Sequence, residues 1–267
     1  MAQKGARGRA PGGGGGADRV QVEGRRASLE ALRSGAKVLR VRVSQRAEPS
    51  AVLDELMKEA RGRRVVVERV APEVLDALSS TGHHQGVAAE VVPPDRVEVD
   101  ELLAVASGRR QDPFLVMLDG VEDPQNLGAI ARSAEAAGAH GLILSEKHSA
   151  GVGPGALRAS AGALLLLPTA VVSSPARALE KLKAQGVWAG GAVPEGGKPY
   201  HACDLKGPLV IVIGSEARGL HRLVQERCDF LMSIPLSGRV ESLNASAAAA
   251  VLLFEAARQR GSAEGGR

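Results

Sequence analysis

Between residues 113 and 260 the chain repeats one pattern, in which a short apolar run leads into a polar loop and then a helix. Continuous apolar runs of this kind are typical of strands buried on both faces. Their alternation with helices favours a mostly parallel sheet covered by helices, so we predict an α/β fold. The predicted strands are Phe114–Leu118, His140–Leu144, Leu164–Val172, Val187–Ala189, Leu209–Ile213 and Phe230–Ile234, and the predicted helices are Leu127–Ala137, Pro154–Ala161, Pro175–Ala184, Leu220–Arg227 and about Asn244–Arg260.

A smaller α/β unit is predicted at residues 21–92. Arg40 and Arg42 alternate there with apolar residues, which indicates a strand with one solvated basic face. Two prolines, Pro93 and Pro94, end this unit, and residues 93–112 are predicted to form a linker that contains a short helix. The unit's other predicted elements are a short helix around Leu29, a helix over residues 50–60, strands at Val65–Val70 and Val87–Val92, and a helix at Pro72–Leu78.

Composition sets limits on partners and location. Residues 1–20 are rich in Gly and Arg and poor in apolar side chains, so a disordered tail is expected. Six Lys/Arg and two Asp/Glu within residues 1–26 account for the whole net charge of +4, so charge alone does not identify a nucleic-acid partner. Cys203 and Cys228 form no closely spaced pair and no signal-like segment is visible, which favours the cytoplasm. The apolar runs are too short to span a bilayer.

The first candidate site is LDGVEDPQNLGAIARSAEAAG, residues 118–138, which passes from a strand through a turn into a helix. Asn126 stands where the helix is predicted to begin and is a candidate cap, while Gly128 permits a close approach. Arg132 follows one to two turns later, and helical side chains lean toward the N-terminus. We therefore expect its guanidinium near Asn126. The alternative is that Asn126 only caps the helix and Arg132 is a surface charge.

The second candidate, GVGPGALRASAG at residues 151–162, is a glycine-rich loop that suggests a dinucleotide site. Its spacing matches only part of that fingerprint, and it lies several residues beyond the preceding strand. Pro154 also removes an amide that such a loop needs. We interpret the loop as a flexible connection, and Arg158 and Ser160 are candidates to face a substrate.

The third candidate spans residues 209–254, where two strand-like runs each end in a small polar loop before a helix. Ligands of α/β proteins usually lie at such strand ends. Gly214 permits close contact with a ligand, and Glu216 is expected beside a helix N-terminus. Ser242 and Asn244 place a hydroxyl and an amide at the start of the final helix, which suits a carboxylate, a phosphate or a ribose.

Together these stretches resemble the SpoU–TrmH family of RNA ribose 2′-O-methyltransferases. NLGAIAR (126–132), VIVIGSEARGL (210–220) and IPLSGRVESLNASAAAA (234–250) are similar to its three motifs and occur in its order. The front unit, with EGRRASLEALRSG and HHQGVAAEV, resembles the substrate-recognition domain of the RlmB-type branch, which methylates a guanosine of 23S rRNA. One departure is Ala217, where the family commonly has glycine. A left-handed backbone at that position would cost alanine about 1 kcal/mol.

The resemblance implies a fold, a cofactor and an assembly. The C-terminal domain is expected to contain a deep trefoil knot, which general topology rules disfavour. S-adenosylmethionine is expected among three loops, and the family forms homodimers with the active site near the interface. By motif match, the implied cofactor-binding residues are Gly214, Ile234, Leu236, Leu243 and Asn244.

The implied catalytic residues are Asn126, Arg132, Glu216, Ser242 and Asn244. The family assigns the activating role to the arginine that matches Arg132. Because arginine is hard to deprotonate, our hypothesis is that Arg132 binds the adjacent phosphate and stabilises the developing alkoxide, oriented by Asn126 and Glu216. A sulfonium is already a strong electrophile, so no metal is predicted.

RNA is the expected partner, and most of its predicted contacts are arginines. The turn that contains His83 and His84 lacks a third ligand at a suitable spacing, so an RNA-facing turn is favoured over a metal site and a plain loop is favoured over both. The predicted RNA-binding residues are Arg40, Arg42, His84, Arg109, Arg110, Arg158 and Arg239. Three alternatives stay open: a tRNA methyltransferase, a dinucleotide-dependent oxidoreductase and an RNA-binding protein without activity.

Overall fold

The computed structural model describes residues 19–80 and 82–264, with side-chain burial described up to residue 261. The predicted tail, residues 1–20, therefore lies outside the described residues except for its last two. Of these, Val20 is already the first residue of a strand that pairs with Val87–Val92. This strand was not predicted.

The N-terminal domain is a four-stranded mixed sheet in the order β1-β4-β2-β3, in which only β2 and β3 are parallel. Side chains alternate across β2, so Val41 and Val43 are fully buried while Arg40 and Arg42 occupy the other face. Helices α1 and α2 pack on the apolar face. The elements are β1 (Val20–Glu23), α1 (Arg25–Arg33), β2 (Lys37–Ser44), α2 (Ala51–Gly62), β3 (Val66–Val70), α3 (Pro72–Leu78) and β4 (Val87–Val92).

The C-terminal domain is a seven-stranded sheet in the order β7-β6-β5-β10-β8-β11-β9, and all neighbouring strands are parallel. Its elements are α4 (Val99–Gly108), β5 (Phe114–Asp119), α5 (Pro124–Ala136), β6 (Gly141–Ser145), α6 (Pro154–Ala159), β7 (Thr169–Val172), α7 (Pro175–Ala184), β8 (Trp188–Ala192), β9 (Lys198–Pro199), β10 (Leu209–Gly214), α8 (Arg222–Arg227), β11 (Phe230–Ser233) and α9 (Ala245–Glu264).

Both faces of this sheet are buried, as the continuous apolar runs require. Along β5, Phe114, Val116 and Leu118 pack with α5, α6 and α9, whereas Leu115 and Met117 pack with α4, α7 and α8. This arrangement confirms the predicted fold class, in which a small N-terminal α/β domain is followed along the chain by an α/β domain with a parallel sheet. The trefoil knot remains a prediction from the family resemblance.

The predicted strand Leu164–Val172 is wrong in its first half. Residues 163–165 form a short 3₁₀ helix, and the strand begins only at Thr169. Leu164, Leu165 and Leu167 are buried against the α5 side of the domain instead of entering the sheet. A run of leucines signals burial but does not distinguish a strand from another buried segment.

The predicted linker, residues 93–112, is largely occupied by α4. Leu102 on this helix is fully buried, and a Cβ atom added to Gly141 would lie 2.5 Å from its Cδ2 atom. The backbone N–H of Val97 also donates to the carbonyl of Thr169 at 3.2 Å. This segment therefore belongs to the helical layer of the C-terminal domain.

The two domains are in direct contact. Helix α6 packs against β1, and a Cβ atom at Gly162 would lie 3.2 Å from the Cβ atom of Glu30 on α1. Helix α6 also packs on α5 at Gly128, where an added Cβ atom would lie 2.4 Å from that of Ala159. The glycine-rich segment before α6 therefore leads into a packed helix and is not merely the flexible connection we predicted.

Candidate active site and nucleic-acid interface

One cleft lies at the carboxyl edge of the C-terminal sheet. Strands β8, β10 and β11 are parallel neighbours, so the loops that follow them meet at the same edge. The space between these loops, here called the sheet-edge cleft, has a volume of about 700 Å³ that includes open solvent. Its lining includes the predicted residues Gly214, Glu216, Ile234, Leu236, Ser242 and Leu243.

A tight turn, Ser215–Gly219, forms one wall of the sheet-edge cleft. The N–H groups of Ser215 and Gly219 donate to each other's carbonyl oxygens at 3.1 and 2.8 Å. A Cβ atom at Gly214 would lie 2.2 Å from the carbonyl carbon of Gly219, so this turn closes only when residue 214 is glycine. The close approach that we predicted for a ligand at Gly214 is thus made by the chain's own backbone.

Glu216 and Ala217 belong to this turn. Helix α8 begins only at Arg222, so Glu216 does not stand at the start of the helix that follows it in sequence. It lies instead beside the starts of α5 and α9, through Asn126 and Asn244. The left-handed residue of the turn is Gly219, with φ of 66°, and Ala217 does not share that conformation. Alanine at position 217 therefore carries none of the strain that its departure from the family pattern suggested.

Three polar side chains from distant parts of the chain meet beside the sheet-edge cleft. Asn126 and Asn244 both donate through Nδ2 to Oε1 of Glu216, the latter at 3.0 Å. Asn244 Nδ2 also donates to Asn126 Oδ1 at 3.0 Å. These bonds fix the orientation of the carboxylate. We call the three residues the amide–carboxylate triangle.

The two asparagines reach the triangle from two helix starts. Asp123, not Asn126, caps α5, because its Oδ1 accepts the N–H of Gln125 at 2.9 Å. Asn126 Nδ2 donates to Oδ2 of the same Asp123 carboxylate at 3.2 Å and also reaches across to Glu216. Asn244 caps α9 by accepting the N–H of Ser246 at 2.9 Å through Oδ1, and its Nδ2 serves the triangle. Asn244 does not line the sheet-edge cleft itself, although it was predicted to contact the cofactor.

Ser242 and Arg132 do not join the triangle. Ser242 lines the sheet-edge cleft without a hydrogen bond to any other described residue. Arg132 lies six residues beyond Asn126, which is about 240° around an α-helix, so the two side chains leave α5 on different faces. The prediction that Asn126 and Glu216 orient Arg132 is therefore wrong within a single copy of the chain.

Arg132 instead lines a second cavity, here called the interdomain cleft, which lies between the N-terminal domain and helices α5 and α6. It has a volume of about 1900 Å³, including open solvent. Arg26 and Arg132 have no ion pair or hydrogen bond with another described residue, while Arg25 is bound to Ser50 and the Gln85 carbonyl. The lining of the interdomain cleft also includes Glu23, Glu30, Ser50, His83, Gln85, Glu135, Arg158 and Ser160.

Arg40 and Arg42, predicted to contact RNA phosphates, are committed to carboxylates of their own domain. Strand register places both beside Glu68 and Glu90, with closest contacts of 2.8 Å for Arg40 and 3.0 Å for Arg42. The Arg42 side chain is only 15% exposed. Neither guanidinium is available to RNA without breaking these ion pairs.

The other predicted RNA contacts are scattered. His84 is turned into the fold, where its ring contacts Asp76 at 2.9 Å and accepts the N–H of Gly86 at 3.0 Å, while His83 and Gln85 line the interdomain cleft. Arg109 and Arg110 are exposed just before β5 begins, at the opposite edge of the sheet from the sheet-edge cleft. Of the remaining two, Arg158 lines the interdomain cleft and Arg239 is exposed in the loop after β11.

One polar pair near the site was missed by the sequence reasoning. The buried carboxylate of Asp119 accepts the backbone N–H of His221 at 2.8 Å and lies 2.9 Å from its ring atom Nδ1. A signal was present, because Asp119 is the last residue of the central strand β5 and His221 directly follows the GSEARGL stretch.

Two classes of chemistry receive no support from the described residues. Burial raises the pKa of the Cys228 thiol to about 12 and also raises the pKa of Cys203, so neither is an activated nucleophile. Within residues 19–80 and 82–264 no three His, Cys, Asp or Glu side chains are grouped as metal ligands.

In the same part of the chain no helix has the length and apolar character that a membrane crossing requires.

Known proteins resemble both domains. Residues 113–254 match the SpoU rRNA Methylase family, and residues 21–97 match a domain described as RNA 2′-O ribose methyltransferase substrate binding. This chain is a member of the SpoU family. SpoU membership makes it an RNA 2′-O-methyltransferase.

SpoU relatives of this chain resemble it along most of its length. YacO of Bacillus subtilis, named as a TrmH-family tRNA/rRNA methyltransferase, is 37% identical and covers 90% of this chain and 95% of its own. The 23S rRNA (guanosine-2′-O-)-methyltransferase RlmB of Pseudomonas putida is 41% identical over 80% of this chain and 86% of its own. The SpoU methyltransferase AviRb of Streptomyces viridochromogenes, solved in complex with AdoMet, has a TM-score of 0.75 and 32% identity over 91% of both chains.

Proposed function

We propose that this protein transfers a methyl group from S-adenosylmethionine to a ribose 2′-hydroxyl of RNA. The amide–carboxylate triangle beside the sheet-edge cleft is the observation that carries this proposal. It joins Asn126, Glu216 and Asn244, one from each motif that resembles the SpoU family, at the mouth of the sheet-edge cleft.

The residues of the sheet-edge cleft fit the methyl donor. Apolar side chains, among them Met232, Ile234 and Leu243, offer a surface for an adenine ring. Gly214, Ile234, Leu236 and Leu243 would hold the cofactor, with Ser242 at the wall. When bound, S-adenosylmethionine supplies the electrophilic methyl group.

The triangle positions the acceptor side of the reaction. Glu216 is held by two amides on Oε1 and is exposed at the cleft mouth, so it presents a fixed carboxylate to an incoming ribose. Such prior orientation lowers the barrier by restricting the geometry of approach. Asn126 and Asn244 are thus positioning residues for Glu216.

RNA phosphates bind in the interdomain cleft in this proposal. Arg26 from α1 and Arg132 from α5 face the same cavity from the two domains, and neither is neutralised by another described residue. Guanidinium groups are well suited to phosphate, and they contribute affinity without reading sequence. This assignment retains the predicted phosphate contact of Arg132 and adds Arg158 to the same wall.

A guanosine of 23S rRNA is the proposed target. The relative that bears this activity in its name is 41% identical to this chain, and the match to a substrate-binding domain at residues 21–97 supports an RNA substrate. A tRNA is the alternative, because YacO is named for both classes of RNA.

A homodimer in the cytoplasm is the proposed working form. Leu236, Val240 and Phe254 are 37%, 64% and 51% exposed on the loop after β11 and on α9, and in this proposal the second copy of the chain covers them. The two cysteines are free thiols in the structure, as expected in a reducing compartment.

Methyl transfer to unmodified RNA tests this proposal. Purified protein, labelled S-adenosylmethionine and either 23S rRNA or tRNA from an undermodified strain should give label at a single alkali-resistant 2′-O-methyl nucleotide. A Glu216→Gln variant, similar in shape, should transfer much less label. Absence of label with both RNA classes would contradict the proposal and favour an RNA-binding protein without activity.

A further inference from the structure

One amide in the interdomain cleft has no partner within the fold. Gln85 is exposed and lines this cleft, and its side chain makes no hydrogen bond with another described residue. A Cβ atom at Gly24 would lie 3.7 Å from Gln85 Oε1. The amide oxygen therefore lies beside the start of α1, the helix that also carries Arg26 into the cleft.

The backbone at Gln85 is one that glutamine does not favour. Its φ is 50°, in the left-handed region that glycine and asparagine enter more readily. Because the amide makes no bond inside the fold, neither the turn nor its packing explains a glutamine at this position. Non-glycine residues in such conformations are concentrated at ligand-binding and active sites.

The turn that carries Gln85 is held in place by groups on either side of it. Arg25 Nε donates to the Gln85 carbonyl oxygen at 3.1 Å. Glu23, which is 1% exposed, accepts the N–H of Ser80 at 2.8 Å where the chain enters the turn. Backbone held in this way does not have to be ordered when a ligand binds, so little affinity is lost to ordering.

The lining of the interdomain cleft also offers an apolar surface. Leu166, from the C-terminal domain, lines this cleft and is 46% exposed. Phosphate gains nothing from such a surface, whereas a nucleobase has an apolar face as well as a polar edge. Aromatic residues are only 2% of the chain, so few other side chains can pack against a base.

We propose that the Gln85 amide recognises a base of the RNA that binds in the interdomain cleft, an inference that rests on the proposed function. A primary amide has one acceptor oxygen and two N–H donors, so it forms two hydrogen bonds with the edge of one base. Arg26 and Arg132 fix the register of the RNA through phosphates, and Gln85 supplies the sequence discrimination that phosphate contacts lack. We expect this base in a single-stranded loop, because the grooves of an RNA double helix expose little of the sequence.

Methyl transfer to a set of altered RNAs tests the proposal. The RNA that becomes labelled in the assay above is prepared with each unpaired nucleotide near the methylated one replaced in turn. With the unaltered protein, replacement of the recognised base should lower kcat/KM about tenfold. Gln85→Ala should lower kcat/KM about tenfold on the natural RNA and show no further loss with that replacement.

Gln45→Ala is the matched control. Gln45 is an exposed glutamine of the same domain that lines neither cleft, so its variant should discriminate between the RNAs as the unaltered protein does. Both substitutions remove exposed side chains, and both variants should keep the normal melting temperature.

Filter binding at several salt concentrations gives a readout that does not depend on turnover. An amide neutralises no phosphate, so Gln85→Ala should weaken binding by the same factor at every salt concentration. A reduced salt dependence, or a Gln85→Ala variant that discriminates between the RNAs as the unaltered protein does, overturns the proposal and leaves the proposed function in place. An unaltered protein that methylates neither class of RNA overturns the proposed function as well, so the two failures are distinguishable.

Discussion

The sheet-edge cleft and the interdomain cleft are built in opposite ways. The first is lined by loops of a single domain, has apolar walls and carries one carboxylate fixed by two amides. The second lies between two domains and presents arginines, of which Arg26 and Arg132 have no described partner. A rigid apolar pocket suits one small ligand, whereas unpaired guanidinium groups suit a long polyanion.

This difference separates the affinity for the methyl donor from the affinity for RNA. Substitutions in the sheet-edge cleft should change donor binding or turnover at any salt concentration. Substitutions in the interdomain cleft should change RNA affinity in a salt-dependent way and leave donor binding unchanged.

The largest effect is expected from Gly214→Ala. The new methyl group would lie 2.2 Å from backbone of Gly219, so the turn that carries Glu216 has to move. We expect the free energy of S-adenosylmethionine binding to weaken by about 3 kcal/mol, which lowers the affinity about 100-fold. Calorimetry measures this affinity.

The matched control is Gly238→Ala in the next loop, where an added methyl group has nothing within 4 Å. Equal donor affinity for the two variants would contradict the role of the turn.

A smaller loss is expected when the triangle is opened. Asn126→Ala removes one donor to Glu216 and the acceptor for Asn244. A hydrogen bond to a charged group contributes about 2 kcal/mol, so kcat should fall about 30-fold. Donor affinity measured in parallel should change little, and a large change there would show that the triangle belongs to the donor pocket.

Acid should destabilise the fold and so limits the pH range in which the clefts can be compared. Burial first, and then the charges of Arg109 and Arg260, lower the pKa of His140 to about 4. The unfolded ring binds a proton at higher pH than the folded ring does, so stability is lost as pH falls below the unfolded value.

Between about pH 7 and about pH 5 this single group should remove about 2 kcal/mol of unfolding free energy. Urea titrations at both pH values check it, with His140→Gln as the variant that should lose this part of the pH dependence. An unchanged slope in that variant would show that other groups are responsible.

A modest effect is expected at the interdomain cleft. Arg26→Ala should weaken RNA binding about fivefold and reduce the salt dependence by about one phosphate contact. Arg61→Ala is the matched control, because Arg61 is exposed in the same domain, has no described ion pair and does not line the interdomain cleft. Filter binding at several salt concentrations measures both, and equal slopes would contradict the proposed RNA path.

The smallest effect is expected for Ala217→Gly, which restores the residue common in the family. Because Ala217 is not left-handed, glycine relieves no strain there. Methyl transfer should stay within about twofold of normal. A large gain would show that the turn changes its backbone conformation when the donor binds.

Sequence predicted the fold better than the sites because the two depend on different signals. Periodicity and Pro or Gly boundaries placed α7 at its observed limits, Pro175–Ala184, and identified most strands of the parallel sheet. The short edge strand β9 has two residues and no periodicity to detect. Leu164 and Leu165 misled the prediction because burial alone does not specify a strand.

The site residues that lie within local motifs were predicted correctly, and those whose position depends on the tertiary structure were not. Asn126, Glu216 and Asn244 fell within motifs, and the structure brings them together. The position of Arg132 was predicted wrongly because the tilt of helical side chains toward the N-terminus does not determine on which face of α5 the Arg132 side chain lies. Arg40 and Arg42 were misread because their partners, Glu68 and Glu90, are set by strand register that no local pattern contains.

Hydrogen–deuterium exchange tests the separation of the two clefts most directly. S-adenosylhomocysteine alone should slow exchange in residues 214–219 and 234–244 and leave residues 24–30 and 82–86 unchanged. RNA alone should slow exchange in residues 24–30 and 82–86. Protection of residues 24–30 by S-adenosylhomocysteine, or RNA protection that misses the interdomain cleft, would contradict the account.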